Sequence, residues 1–146
     1  MQINHFTLGG SQFERVAIEV RGYSYPAQTD SDDGNWLNCK VSVAVGSFRG
    51  SAECSLRAED FSSLERDLIR LLEEPRGSAE FTTVETQLAF RLEGDGLGHF
   101  EVSGELFDQP GIGNCLRWRI EVDQTQIAAA LDQVRAITAA VPVRGV

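Results

Sequence analysis

Leu37-Asn38-Cys39-Lys40-Val41-Ser42-Val43-Ala44-Val45 alternates apolar and polar residues for nine positions. Leu37, Cys39, Val41, Val43 and Val45 point one way, and Asn38, Lys40, Ser42 and Ala44 point the other. A period of two over that length predicts a β-strand with one buried face. Upstream, Arg15 to Arg21 alternates as well, with Val16, Ile18 and Val20 on one side. Between these strands, Tyr23 to Gly34 reads as a polar loop holding Pro26 and the run Asp30-Ser31-Asp32-Asp33-Gly34. Downstream, Gly46 to Gly50 turns the chain, and Ala52, Cys54 and Leu56 alternate again. Then the period changes. Phe61, Leu64, Leu68, Leu71 and Leu72 fall at helical spacing, Glu59 and Asp60 suit a helix N-terminus, and Pro75 with Gly77 ends the helix.

The second half repeats this order. Leu88, Phe90 and Leu92, then Phe100, Val102 and Leu106, then Leu116, Trp118, Ile120 and Val122 form three one-sided strands. Ile127, Ala130, Leu131, Val134 and Ile137 return to helical spacing. Asp123 is a good N-cap, Gln126 completes a capping box, and Pro142 blocks continuation. Gly34-Asn35-Trp36-Leu37 opens one long strand and Gly113-Asn114-Cys115-Leu116 another, which hints at two copies of one meander-plus-helix unit. One-faced strands argue for antiparallel pairing. The expected architecture is α+β: a two-layer arrangement, an antiparallel sheet with two helices packed on one face. Residues 1–146 are expected to form one domain.

Composition narrows the function classes. The chain has 146 residues, 42% of them hydrophobic and 24% charged. A chain of this length buries about 70% of its unfolded surface and needs no disulfide or metal to fold. No apolar run approaches a membrane span, and Met1-Gln2-Ile3-Asn4-His5 has no basic segment followed by an apolar one, so neither a membrane anchor nor a signal peptide is expected. Thirteen basic residues stand against 22 acidic ones, a net charge of −9. Nucleic-acid binding needs a basic patch, so this balance disfavours it and suits a basic partner. The acids divide evenly between the two halves, so any acidic face must be assembled by folding. Cys39, Cys54 and Cys115 are odd in number and far apart, which reads as small core residues in a reducing compartment.

Chemistry-bearing motifs are sparse. A three-residue hairpin loop at Asp95-Gly96-Leu97 would pair Leu92 with Phe100 and set Glu93 opposite His99, a cross-strand charge pair beside a glycine turn. The Asp30 run lacks the EF-hand spacing, because Thr29 and Ser31 fall where acids belong and Lys40 where the glutamate belongs. Gly94-Asp95-Gly96-Leu97-Gly98 lies between strands rather than opening a helix, and no lysine follows it, so it carries no phosphate fingerprint. No Gly-x-Ser-x-Gly elbow occurs. Neither a cofactor nor a metal is expected. Trp118 shares the inward parity of Leu116 and Ile120 and reads as core, whereas Trp36, just before the strand and beside the acids, reads either as core or strand-edge packing or as a candidate interface anchor.

Several of these elements occur together in one known family. Asp33-Gly34-Asn35-Trp36-Leu37 precedes a long strand, Phe48-Arg49-Gly50 follows in the turn, and a helix begins near Glu59-Asp60. Gly94 to His99 and a strand running into Asp123-Gln124-Thr125 come later. Over roughly residues 33 to 137 this resembles the bacterial WapI-like immunity protein family. The resemblance implies a cytoplasmic antitoxin, not an enzyme, whose partner is a WapA-type toxin domain of the kind that includes RNA-cleaving nucleases. It carries no catalytic residues onto this chain. The candidate contact residues read from the sequence are Asp30, Asp32, Asp33 and Trp36, with Glu93, Asp95 and His99 as a second patch. The alternative is a non-enzymatic adaptor or scaffold, pairing through an exposed sheet edge as a homodimer. A third reading, a small enzyme built around His99, requires a deep pocket at that hairpin.

Overall fold

The computed structural model describes residues 3–11 and 13–145; Met1 and Gln2 of the opening segment lie outside the described residues. The first meander is β1 (Asn4–Ser11), β2 (Glu14–Tyr23), β3 (Trp36–Val45) and β4 (Phe48–Arg57), followed by α1 (Ala58–Glu73). The second is β5 (Ser78–Thr82), β6 (Leu88–Gly94), β7 (His99–Gln109) and β8 (Ile112–Asp123), followed by α2 (Gln124–Ala140). All pairing is antiparallel between consecutive strands. The fold is α+β, and the repeat of meander plus helix is present. The strands divide into two four-stranded sheets, β1-β2-β3-β4 and β5-β6-β7-β8. Two strands had no counterpart in the sequence reading. β1 buries only Phe6 and Leu8, and β5 only Ala79 and Phe81, so each alternation is too short to stand out.

The helices form where their local signals place them. Asp123 accepts from the Gln126 N–H at 2.8 Å, and the Gln126 side chain accepts from the Asp123 N–H at 2.9 Å, closing the capping box of α2. In α1 the Asp60 carboxylate accepts from the Arg57 N–H at 2.8 Å. Burial pushes the Asp60 carboxyl up to about 6, against which the Arg57 N–H bond acts only in part. Each helix packs on the other helix and on the first strand of the opposite meander, α1 on β5 and α2 on β1.

One core runs through both halves. Its spine is aromatic. Phe90 on β6 stacks on Phe81 of β5 at 4.8 Å and on Phe6 of β1 at 6.4 Å, and lies 6.1 Å from Trp118 of β8. Phe81 in turn meets Phe61 of α1 at 6.4 Å. Trp118 is buried, as its parity implied. Gly104 stands between Phe90 and Trp118 in the register. A Cβ there would come within 2.5 Å of Trp118 Cζ2 and of the Ala89 carbonyl oxygen, so only glycine lets the two rings close over this strand. Cys39 and Cys54 face each other across β3 and β4 in the core, and both are free thiols, as is the exposed Cys115.

Candidate partner-binding surface

The sequence-predicted acids occupy two surfaces. The first is the loop between β2 and β3. Its base is closed by the Ser24 N–H donating to the Trp36 carbonyl at 2.8 Å. Asp30 Oδ2 accepts from the N–H groups of Asp32 and Asp33, at 3.2 and 3.1 Å, which folds the acidic run into a tight turn. Residues Asp33–Asn35 then make one 3-10 turn, and Asn35 is fully buried beneath it. Arg57 supports the loop from below. Its Nη2 donates to the carbonyls of Ser31 and Asp32 at 3.2 and 3.0 Å, and its guanidinium lies 4.9 Å above the Trp36 ring. Arginine suits this place because one planar fork can stack and donate at once. Trp36 is therefore half-buried under Arg57, while Asp30, Asp32 and Asp33 are exposed.

The second surface surrounds the β6–β7 hairpin. Asp95 Oδ1 accepts from the N–H groups of Leu97 and His99, at 2.7 and 3.1 Å, and Oδ2 lies 3.4 Å from His99 Nδ1. These backbone donors, Leu97 first, hold the Asp95 carboxyl below its ordinary value. The register corrects the sequence expectation by two residues. Leu92 pairs with Val102 and Gly94 with Phe100, so Glu93 faces Glu101 and not His99. The cause is the Asp95 turn, which spans residues 95–99 and is closed by the Asp95 N–H donating to the His99 carbonyl at 3.0 Å. Inner and outer faces are unchanged, because a shift of two preserves parity.

That register assembles something the sequence reading missed. Glu93, Glu101 and Glu121 stand directly opposite one another on β6, β7 and β8. With Asp95 and His99 they line an open groove of about 570 Å³. Like charges placed directly across strands oppose each other. Two arginines offset the row at long range, Arg91 at 3.7 Å from Glu93 at one end and Arg119 at 3.9 Å from the central Glu101. Glu101 and Glu121 appear in sequence as ordinary polar positions of alternating strands. Only the register makes them a row. The His99 side chain is 71% exposed, so it lines an open groove and not the deep pocket that an acid–base role requires.

The two surfaces lie at opposite ends of the helical layer. Arg57 at the start of α1 reaches the Asp30 loop, whereas Pro75 and Gly77 beyond its end accept from Gly96 and Gly94 of the hairpin. Sixteen helical residues separate these ends by about 24 Å. Among the described residues, no group of three or more His, Cys, Asp or Glu is arranged to hold a metal ion. No helix among them is long and apolar enough to cross a membrane.

A family model described as "Immunity protein WapI-like family" matches residues 7–142. No curated protein sequence matches the chain. Two solved structures share its architecture. The plant transcriptional regulator PBF-2 has a TM-score of 0.55 and 14% identity, over 97% of this chain and 83% of that one. WHY1 from Arabidopsis thaliana has a TM-score of 0.51 and 14% identity, over 97% and 92%. At that identity the likeness concerns the fold alone.

Proposed function

The chain belongs to the WapI-like immunity protein family, and from that premise we propose that it binds a toxin domain in the cytoplasm and blocks it stoichiometrically, without chemistry of its own. The family match over residues 7–142 carries this reading. The toxin surface it meets is basic, as a nuclease face that grips phosphates is. An acidic inhibitor competes there with the nucleic acid itself and gains association rate from the opposed fields. Two features of this chain favour such a partner. One is the net charge of −9, which suits a basic protein and not a nucleic acid. The other is the Glu93–Glu101–Glu121 row, whose mutual repulsion a cationic side chain would relieve. The Asp30–Trp36 loop is the first contact surface in this reading and the β6–β7 groove the second.

The test is growth rescue. The C-terminal domain of the product encoded immediately upstream is expressed in a host with and without this protein. Toxicity relieved only by co-expression is the expected result. A harmless neighbour, or toxicity that co-expression leaves untouched, overturns the proposal.

A further inference from the structure

The acidic loop does not hold itself. The segment after α2 crosses back to it, and nearly every polar contact of that segment is made to loop residues. Arg144 donates from Nε and Nη2 to the Gly34 carbonyl at 2.9 and 2.6 Å, from Nη2 to the Tyr25 carbonyl at 3.1 Å, and from Nη1 to the Pro26 carbonyl at 3.1 Å. Its guanidinium lies 3.7 Å over the ring of Tyr23, and the Tyr23 hydroxyl donates to the Pro142 carbonyl. The backbone of residue 144 is paired too. Its N–H donates to Asn35 Oδ1 at 2.8 Å, and its carbonyl accepts from Asn35 Nδ2 at 3.0 Å. This two-way bond explains why an asparagine is fully buried there: its amide meets the same groups that a strand neighbour would offer. Gly145 completes the fit. It has φ +78°, and a Cβ on it would come within 2.5 Å of the Asp30 carbonyl carbon, so the segment lies directly on the Asp30–Ser31 backbone.

We propose that residues 141–145 are a strap that fixes the Asp30–Trp36 loop in one shape, with Arg144 as its positioning residue. The proposal rests on the reading of that loop as a toxin contact. A loop ordered beforehand avoids the entropic cost of ordering at the moment of binding. Three carbonyls and an aromatic ring converge on the Arg144 guanidinium, Asn35 pairs with the Arg144 backbone and Gly145 lies on Asp30–Ser31, so the strap acts on the ends and middle of the loop together. The aspartates themselves are left facing solvent, free of it.

Amide hydrogen exchange tests this on the full chain without any partner. The reporters are the N–H groups of Gln28, Asp32, Asp33 and Asn35, each hydrogen-bonded within the loop. In Arg144→Ala these amides exchange at least about tenfold faster, while protection in α1 and α2 is retained. Gly145→Ala gives the same pattern with Arg144 intact, because it lifts the segment off the loop. Arg144→Lys keeps the charge but loses the fork, and exchanges nearly as fast as Arg144→Ala. Unchanged loop exchange in both the Arg144→Ala and Gly145→Ala variants overturns the proposal. So does a loss of protection spread evenly over both helices, which would make Arg144 a general stabiliser. Association with the upstream gene's toxin domain separates the two readings. A loosened loop with undiminished association leaves the strap standing and removes the loop from the toxin interface.

Discussion

Replacing Glu101 by Gln removes the middle charge of the cross-strand row and so relieves two like-charge pairs in one step, Glu93–Glu101 and Glu101–Glu121. Directly opposed pairs on a sheet are worth roughly 0.2–1 kcal/mol each, so relief amounts to about 0.4–2 kcal/mol. The same change removes the Arg119–Glu101 contact, long at 3.9 Å between side chains 71% and 51% exposed. Exposed pairs of that kind contribute about 0–1 kcal/mol. Solvent exposure favours the lower half of both ranges. The net is a gain of about 0.5 kcal/mol, or roughly 1–2 °C in melting temperature for a chain of this size. Urea unfolding in about 0.01 M salt should show a raised midpoint with an unchanged slope. In 1 M salt the Debye length falls to about 3 Å, shorter than the strand spacing, and the gain should vanish. The same variant should associate more slowly with the toxin domain. A protein that becomes more stable as it binds less well is the signature of charges kept for a partner. Glu101→Gln proving less stable at low salt, or keeping its gain at high salt, would refute the reasoning.

Three further outcomes are expected. Neutralising Asp30, Asp32 and Asp33 together should slow association with the toxin and flatten its dependence on salt, and unchanged kinetics in stopped flow would remove the loop from the encounter. Gly104→Ala should cost about 1–3 kcal/mol in chemical unfolding, because the new methyl meets Trp118, Phe90 and a backbone carbonyl at once; a variant as stable as the parent would contradict the ring packing. Asp60 has a carboxyl raised to about 6 from 3.8. The folded protein therefore takes up its proton first, and the ionised form carries a penalty that is absent below pH 3.8, grows as pH rises and is complete above pH 6. The penalty is at most about 3 kcal/mol, so Asp60→Asn, which keeps an acceptor for the Arg57 N–H, should gain on the parent between pH 4 and 7, and parallel stability curves would rule this out.

The parts of this molecule visible in its sequence are those decided by neighbours along the chain. The alternation at Leu37–Val45, the helical spacing from Phe61 to Leu72 and the Asp123–Gln126 capping box each depend on a few consecutive residues, and the structure places all three as read. Face was legible and register was not. Phe100 turns inward as expected, but its partner is Gly94, because the Asp95 side chain sets the length of the turn. The Glu93–Glu101–Glu121 row depends on that register twice over. The division of eight strands into two sheets is a matter of long-range pairing, which alternation along one strand does not carry. The order of the Asp30 loop depends on an arginine more than a hundred residues away.

The crossed packing of the helices has a further consequence. Each meander sends its helix to the other's first strand, and Phe90 of the second half stacks on Phe6 of the first. Neither half can close its own interior. Between Glu73 and Ser78 only a short link joins them. In design the chain behaves as two swapped subunits fused end to end. Fragments cut within that link should be disordered apart and should recover the fold by complementation when mixed, each acting as the obligate template for the other.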